Sequence, residues 1–310
     1  MKRFVLVALL LATSTSLVAQ PLGTSARTVI PSEVQQIISV DYRALKASPT
    51  AIALKERVLP ENLKQFENAL RSFGVNPDKD IEQLTFASFR TPQKQLRVVG
   101  IAQGTFPAKA FLKKMALKKI KGSKYRTSVI WPMAGGMQMS FLDSYTLLFG
   151  ELSAVKFALD ARDGETQSLA YNQQIADLIG GVESGPVWSV LDQPGTQNMM
   201  RSALGDAARL GDYDVVKKRL LGSSYTMSFE NGVNFDLNVS TSDTITAATL
   251  SSLVKAGMMY KRMTASSVEK SALEGVSVNS DSDRLQLHFK SDDKKFQSLL
   301  STDLFAAVSR

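Results

Sequence analysis

The residues of this sequence best suited to binding a charged partner are lysines and arginines without acidic neighbours. Between Gln83 and Leu142 there is no aspartate or glutamate. An uncompensated positive charge of this kind can attract the phosphate or carboxylate groups of a partner. The basic residues of this stretch are Arg90, Lys94, Arg97, Lys109, Lys113, Lys114, Lys118, Lys119, Lys121, Lys124 and Arg126.

Most of this positive charge falls on one predicted helix and the loop after it. The helix runs from about Pro107 to Lys119, and Phe111, Leu112 and Met115 form its apolar arc. Two interpretations stay open: a solvated lysine face on a helix that packs against a sheet, or a docking face for an anionic partner. The predicted anion-binding residues are Lys109, Lys113, Lys114, Lys118, Lys119, Lys121, Lys124 and Arg126.

The candidate partners of such a face are an anionic lipid surface, an acidic polymer of the cell envelope or an acidic protein. Nucleic acid is not expected, because no aromatic residues interleave the lysines as they do on base-stacking surfaces. Export of the protein, predicted below, would also separate it from most nucleic acid.

The residues that several other kinds of binding or catalytic site require are missing from the sequence. The chain has no cysteine and one histidine, His288, so disulfides, thiolate metal sites and multi-histidine centres are absent. Asn76, Asp78 and Asp80 are spaced like the start of a calcium loop, but Ile81 stands where that loop needs glycine, so an Asx-rich turn is expected. We predict no metal site, no cofactor and no identifiable catalytic residue, and the sequence favours a non-enzymatic binding or interaction protein.

Two alternatives remain open. One is an envelope hydrolase with an Asp/Glu or Ser site that the sequence does not reveal. The other is a carrier of an apolar ligand, a role that the eleven flexible methionine side chains would suit.

The N-terminus has the pattern of a secretory signal peptide. Lys2 and Arg3 precede an apolar run from Phe4 to Leu11, and Ala19 offers a small residue at the cut. We predict a signal peptide over 1–19 and a periplasmic or secreted protein, with a retained N-terminal anchor as the alternative. Cleavage would remove two positive charges from the net charge of +8, leaving +6. No later segment is long and apolar enough to span a membrane.

Length and composition are those of a globular protein able to bury a substantial core, with 310 residues of which 44% are hydrophobic and 21% charged. Strand and helix patterns follow a similar order in both halves, which predicts an internal repeat. We predict an extended leader over 20–30, a first α+β repeat over 31–180 and a second over 186–310. The predicted fold is α+β, with two tandem ferredoxin-like-related units whose antiparallel sheets carry helices on one face. A single mixed domain without duplication is the alternative.

Two local predictions can be stated residue by residue. Alternating apolar residues predict a hairpin around Asn231-Gly232, and a three-residue loop keeps its apolar face together by pairing Phe229 with Val233. A helix is predicted over 215–221, ended by Gly222.

The overall layout resembles exported bacterial proteins of unknown function that contain repeated α+β units. The residues that carry the resemblance are the Ile30-Pro31 opening, the Ser39-Val40-Asp41 strand end, and the Gly74-Val75-Asn76-Pro77-x-x-Asp80-Ile81 turn before a strand. It extends over most of the mature chain and implies no particular activity.

Overall fold

The computed structural model describes residues 21–46, 48–58, 61–72, 74–205, 208 and 213–302. The predicted signal peptide over 1–19 lies outside the described residues. The first residues that are described, from Pro21 to Gly23, lead into a short helix, so the predicted extended leader over 20–30 is helical in its second half.

The described strands form a single twelve-stranded sheet in which all neighbours are antiparallel. The strands are β1 (Val34–Asp41), β2 (Ile81–Arg90), β3 (Leu96–Gly104), β4 (Ser123–Tyr125), β5 (Ser128–Pro132), β6 (Gln138–Phe141), β7 (Thr146–Gly150), β8 (Val187–Leu191), β9 (Leu220–Ser228), β10 (Val233–Thr241), β11 (Val276–Asp281) and β12 (Arg284–Ser291). Their order across the sheet is β11-β12-β10-β9-β8-β1-β2-β3-β7-β6-β5-β4.

Helices connect these strands and cover much of the sheet. They are α1 (Thr24–Val29), α2 (Tyr42–Lys46), α3 (Pro49–Val58), α4 (Glu61–Ser72), α5 (Pro77–Asp80), α6 (Ala108–Leu117), α7 (Leu152–Arg162), α8 (Gln173–Gly180), α9 (Gln193–Leu204), α10 (Tyr213–Val216), α11 (Thr244–Thr264), α12 (Ser267–Glu274) and α13 (Asp293–Leu299). Within the described part of the chain, no helix is both long and apolar enough to cross a membrane.

The α+β class and the antiparallel sheet are confirmed, whereas the separate ferredoxin-like units are not. Strands β1 and β8 pair with each other, so both halves of the chain share one continuous sheet. In a split β-α-β unit a third strand lies between the two strands that flank the helix. Here β1 and β2 pair directly and antiparallel, so that unit does not form.

Helices cover both faces of the first half of the sheet, which corrects the prediction of helices on one face. On one face, Ile37 and Ile101 pack with the buried residues of α1, α7 and α8. On the other face, Leu84 packs with Phe111 and Met115 of α6.

On β10 and β12 in the second half, the alternation of side chains leaves one sheet face apolar and the other polar. Leu237 and Leu285 lie in a core with residues of α9 and α11. Cross-strand neighbours Thr226, Asp236 and His288 lie on the opposite face, which is polar.

The two local predictions had different outcomes. The hairpin register pairs Ser228 with Asn234, which continues to Phe229 and Val233, and Gly232 has a φ of +99°, so the three-residue loop is confirmed. The helix over 215–221 is confirmed only in part: α10 and a 3₁₀ turn over Lys217–Arg219 are helical, but β9 begins at the fully buried Leu220, so Gly222 lies in a strand and does not end the helix.

Candidate anion-docking surface

Helix α6 is held on the sheet by its apolar side. Phe111 is fully buried, with its ring centroid 5.1 Å from that of Phe141 and 6.4 Å from that of Trp131. Met115, one turn later, is also fully buried. Anchoring by these two side chains fixes which face of α6 points to solvent.

The chain turns back toward the sheet directly after α6. Lys119 has a left-handed φ of +56°, and Ile120 donates its backbone N–H to the carbonyl of Met115 at 3.0 Å. Gly122 then lies against Trp131, where a Cβ would come 3.0 Å from the indole ring. This tight return is followed at once by Lys121 and by Lys124, which lies on β4.

The eight predicted residues are all exposed, yet the structure gives them different surroundings. Arg126 is engaged by two carboxylates, with Nε 2.5 Å from Asp160 and Nη1 2.7 Å from Glu165. These contacts join the turn between β4 and β5 to α7. Arg126 is therefore a structural ion-pair residue, and its inclusion among the anion-binding residues is not supported by its contacts.

Two lysines lie at the C-terminal end of α4. Lys118 Nζ is 3.4 Å from the carbonyl oxygen of Ser72, and Lys114 Nζ lies so close to Gly74 that a Cβ there would be 2.6 Å away. A cation at a helix C-terminus interacts favourably with the free carbonyls and the helix dipole. Both lysines therefore have a local role in joining α6 to α4.

The remaining five lysines are exposed, and none is in an ion pair with a carboxylate of the described residues. Two apolar side chains stand among them, Leu112 with 45% and Leu117 with 74% of its surface exposed. Leu117 follows Lys113 by four positions and shares its outward face of α6. We call the five residues the lysine surface: Lys109, Lys113, Lys119, Lys121 and Lys124.

The two arginines of the stretch that precede α6 are both paired with carboxylates. Arg90 Nη1 is 2.8 Å from Asp192, and Arg97 Nη1 is 3.4 Å from Glu151. The net positive charge of this stretch is therefore concentrated in the lysine surface.

The other sequence candidates have structural roles. Asn76 accepts a hydrogen bond from the backbone N–H of Asp78 at 3.1 Å, and Asp80 accepts one from that of Asn76 at 2.6 Å, as expected of an Asx-rich turn. Among the residues that the structure describes, no cluster of three or more His, Asp or Glu side chains could hold a metal ion.

His288 lies on the polar sheet face, beside Asp236 of β10. Its Nδ1 is 2.7 Å from Asp236, and Ser277 lies opposite it on β11. The side chains of Ser277 and His288 make no hydrogen bond to each other, and the histidine and aspartate side chains are 46% and 52% exposed. The row contains the residue types of a catalytic triad but lacks its serine–histidine contact and any shielding from water.

Comparison with known proteins gives fold-level likeness only. No family model matches the chain, and no curated protein sequence matches it. Crystal form III of TP0453 matches 91% of this chain and 98% of its own chain, with a TM-score of 0.50 and 9% identity. Crystal form I of TP0453 has a TM-score of 0.48 over 91% of this chain and 97% of its own, also at 9% identity.

Proposed function

We propose that this protein is an exported, non-enzymatic interaction protein that docks onto an anionic lipid surface through the lysine surface. The observation that carries the proposal is that α6 and the segment after it expose five lysines with no carboxylate partner among the described residues, together with Leu112 and Leu117. Near an anionic membrane each such lysine contributes about 1 kcal/mol of attraction.

The two leucines favour a lipid surface over an acidic polymer or an acidic protein. An exposed apolar side chain between lysines can enter the boundary between headgroups and acyl chains while the ammonium groups remain at the phosphates. A highly hydrated polymer offers no apolar region for Leu117. Binding to such a polymer or to an acidic protein would be a different outcome of the experiment below.

Nucleic acid is a poor fit for the lysine surface. Phe111, the aromatic residue of α6, is buried in the core and offers no ring for base stacking. The methionines also give little support to an apolar-ligand carrier, since Met115, Met139 and Met200 fill the core clusters.

The experiment is vesicle flotation with the full chain, expressed with its own N-terminal segment. Vesicles of phosphatidylglycerol and phosphatidylcholine are compared with vesicles of phosphatidylcholine alone across a salt series. We expect capture by the anionic vesicles at low salt and its loss as salt screens the charges. Mass spectrometry identifies the N-terminus, since a retained apolar leader would also bind neutral vesicles.

The test variant reverses four charges of the lysine surface, with Lys109, Lys113, Lys121 and Lys124 each changed to Glu. The matched control makes the same net change in charge at exposed lysines elsewhere: Lys255, Lys270, Lys290 and Lys294. We expect the test variant to lose capture and the control to keep most of it. Equal loss in both would show that net charge rather than the lysine surface is responsible.

Failure of the wild-type protein to float with anionic vesicles at low salt would overturn lipid docking. Pull-down by an acidic polymer or protein that the test variant abolishes would instead retain the lysine surface and replace its partner.

A further inference from the structure

Strand β11 is an edge of the sheet, with β12 as its only neighbour among the described strands. The backbone N–H of Lys290 donates to the carbonyl of Gly275 at 3.0 Å, which makes these two residues a hydrogen-bonded pair. In an antiparallel ladder such pairs recur at every second residue. Ser277 therefore directs its backbone groups to β12, whereas Val276 and Val278 direct theirs away from the sheet.

The hairpin turn leads to the same assignment. Asp281 pairs with Arg284 across a two-residue turn, in which Ser282 has a φ of +52°. Two-residue turns of this kind close on a hydrogen-bonded pair. Since hydrogen-bonded pairs recur at every second residue before Asp281, Ser277 again belongs to such a pair with β12.

Among the described residues, edge strand β11 has little of the protection usual at sheet edges, since its one charged side chain, Asp281, lies at the hairpin end. Lysine, proline, bulges and very short strands are the usual devices. At the opposite edge, β4 is three residues long and contains Lys124. Strand β11 is six residues long, contains no lysine or proline, and keeps a regular register with β12.

The side chains of β11 match a second copy of the same strand. Val276 and Val278 lie on the face that packs against the core under α11, and Ser277 and Asn279 are exposed on the polar face. When two β11 strands run antiparallel with Ser277 opposite Ser277, Val276 of each copy lies opposite Val278 of the other. β-branched pairs of this kind stabilise neighbouring strands.

We propose that strand β11 pairs antiparallel with β11 of a second copy of this chain, joining two twelve-stranded sheets in a symmetric dimer. The outward N–H and C=O groups of Val276 and Val278 supply four hydrogen bonds across the two-fold axis. The chain already uses this mode of contact internally, where β1 and β8 join its two halves as antiparallel neighbours. The dimer does not depend on lipid docking.

The experiment is sedimentation velocity of the full chain over a concentration series, with two charge variants at the centre of the contact. In the dimer, Ser277→Glu and Ser277→Lys each place like charges directly opposite one another, which destabilises a strand pair. Ser277 is exposed, so both variants leave the core intact, and circular dichroism confirms their folding. We expect the wild type to dimerise and each variant alone to be monomeric.

Mixing the two variants is the decisive measurement. Opposite charges then meet at the axis, and we expect a one-to-one heterodimer. A wild type that is monomeric at all concentrations would overturn the proposal. So would a dimer that persists in both single variants, because its contact must then lie elsewhere.

Discussion

Asp41 and Asp192 hold corresponding positions at the two ends of the β1–β8 contact. Asp41 donates its backbone N–H to the carbonyl of Pro186 at 2.7 Å, and Asp192 donates its own to the carbonyl of Gln35 at 3.0 Å. Each aspartate therefore closes the strand pair that joins the two halves of the sheet.

Both aspartates also start the helix that follows their strand. Asp41 Oδ1 accepts the backbone N–H of Arg43 at 2.8 Å, and Asp192 Oδ1 accepts that of Gly195 at 2.7 Å. The two halves also share their strand order. Counted outward from the β1–β8 contact, the first half has β1-β2-β3-β7-β6 and the second half has β8-β9-β10-β12-β11. We propose on these grounds that 31–180 and 186–310 are duplicated copies of one unit.

The role of Asp192 can be separated into capping and charge. Asp192→Ala removes the cap of α9 and the 2.8 Å ion pair with Arg90, and we expect it to lower the free energy of unfolding by about 1–3 kcal/mol. Asp192→Asn keeps a capping oxygen and should lose less. Urea unfolding of both variants measures the difference, and equal losses would contradict a capping role.

Substitution by alanine should change the stability of the protein in opposite directions at two glycines, Gly100 and Gly180. At Gly100 a Cβ would lie 2.0 Å from the Phe149 ring, which is buried, so Gly100→Ala should destabilise the protein by about 1–3 kcal/mol through overpacking. At Gly180, the last residue of α8, a Cβ would meet nothing within 4 Å. Gly180→Ala should therefore be neutral or stabilise by up to about 1 kcal/mol, because it restricts the unfolded chain.

Thermal or urea unfolding of the two glycine variants tests this contrast. If both lose stability equally, close contact with Phe149 is not what requires glycine at Gly100.

Local patterns predicted the fold where neighbouring residues decide it. The loop at Gly232 followed from side-chain alternation alone, because a shifted register would have exposed the apolar face. Gly222 shows the limit of this reasoning. A Cβ there would lie 3.1 Å from Leu178 of α8, so the glycine permits close packing across the sequence and does not end a helix.

The candidate site was predictable to a similar degree. The stretch without aspartate or glutamate showed where along the chain the positive charge is concentrated. The spacing of Phe111 and Met115 showed which face of α6 is buried, and therefore which face carries the lysines. Partners from distant elements were not predictable. Asp160, on α7, comes to Arg126 through folding of the sheet, and nothing in the basic stretch indicates that contact.

The start of α11 should depend on pH in the acid range. A hydrogen bond from Ser242, followed by those from Thr246, lowers the pKa of Asp243 from 3.8 to about 2. Because the folded pKa is the lower one, the stabilisation by Asp243 is complete above pH 3.8 and is lost as the pH falls toward 2. NMR titration of the Asp243 carboxyl group should show this pKa, and Ser242→Ala should raise it. Titration of the wild-type group near its ordinary value would contradict the assignment.

Substitutions of Arg126 and Lys109 should have different effects, although both residues belong to the same basic stretch: one should lower thermal stability and the other should weaken lipid docking. Arg126 forms ion pairs with Asp160 and Glu165, and with a φ of +51° it occupies the turn between β4 and β5. Arg126→Gly keeps a backbone suited to that turn and removes the ion pairs, so we expect a lower melting temperature. Lys109→Ala removes an exposed charge with no carboxylate partner among the described residues and should leave the melting temperature unchanged.

Vesicle flotation of the same two variants completes the comparison. For capture by vesicles, lipid docking predicts that Lys109→Ala has the larger effect, whereas for the melting temperature Arg126→Gly has it. Loss of Lys109 should weaken capture by anionic vesicles measurably more than loss of Arg126, whose charge is already neutralised by two carboxylates. Scanning calorimetry and flotation are done on the same preparation of each variant, so that its stability and its capture by vesicles can be compared directly. If Arg126→Gly reduced capture at least as much as Lys109→Ala while remaining fully folded, the docking residues would extend beyond the lysine surface to the β4–β5 turn.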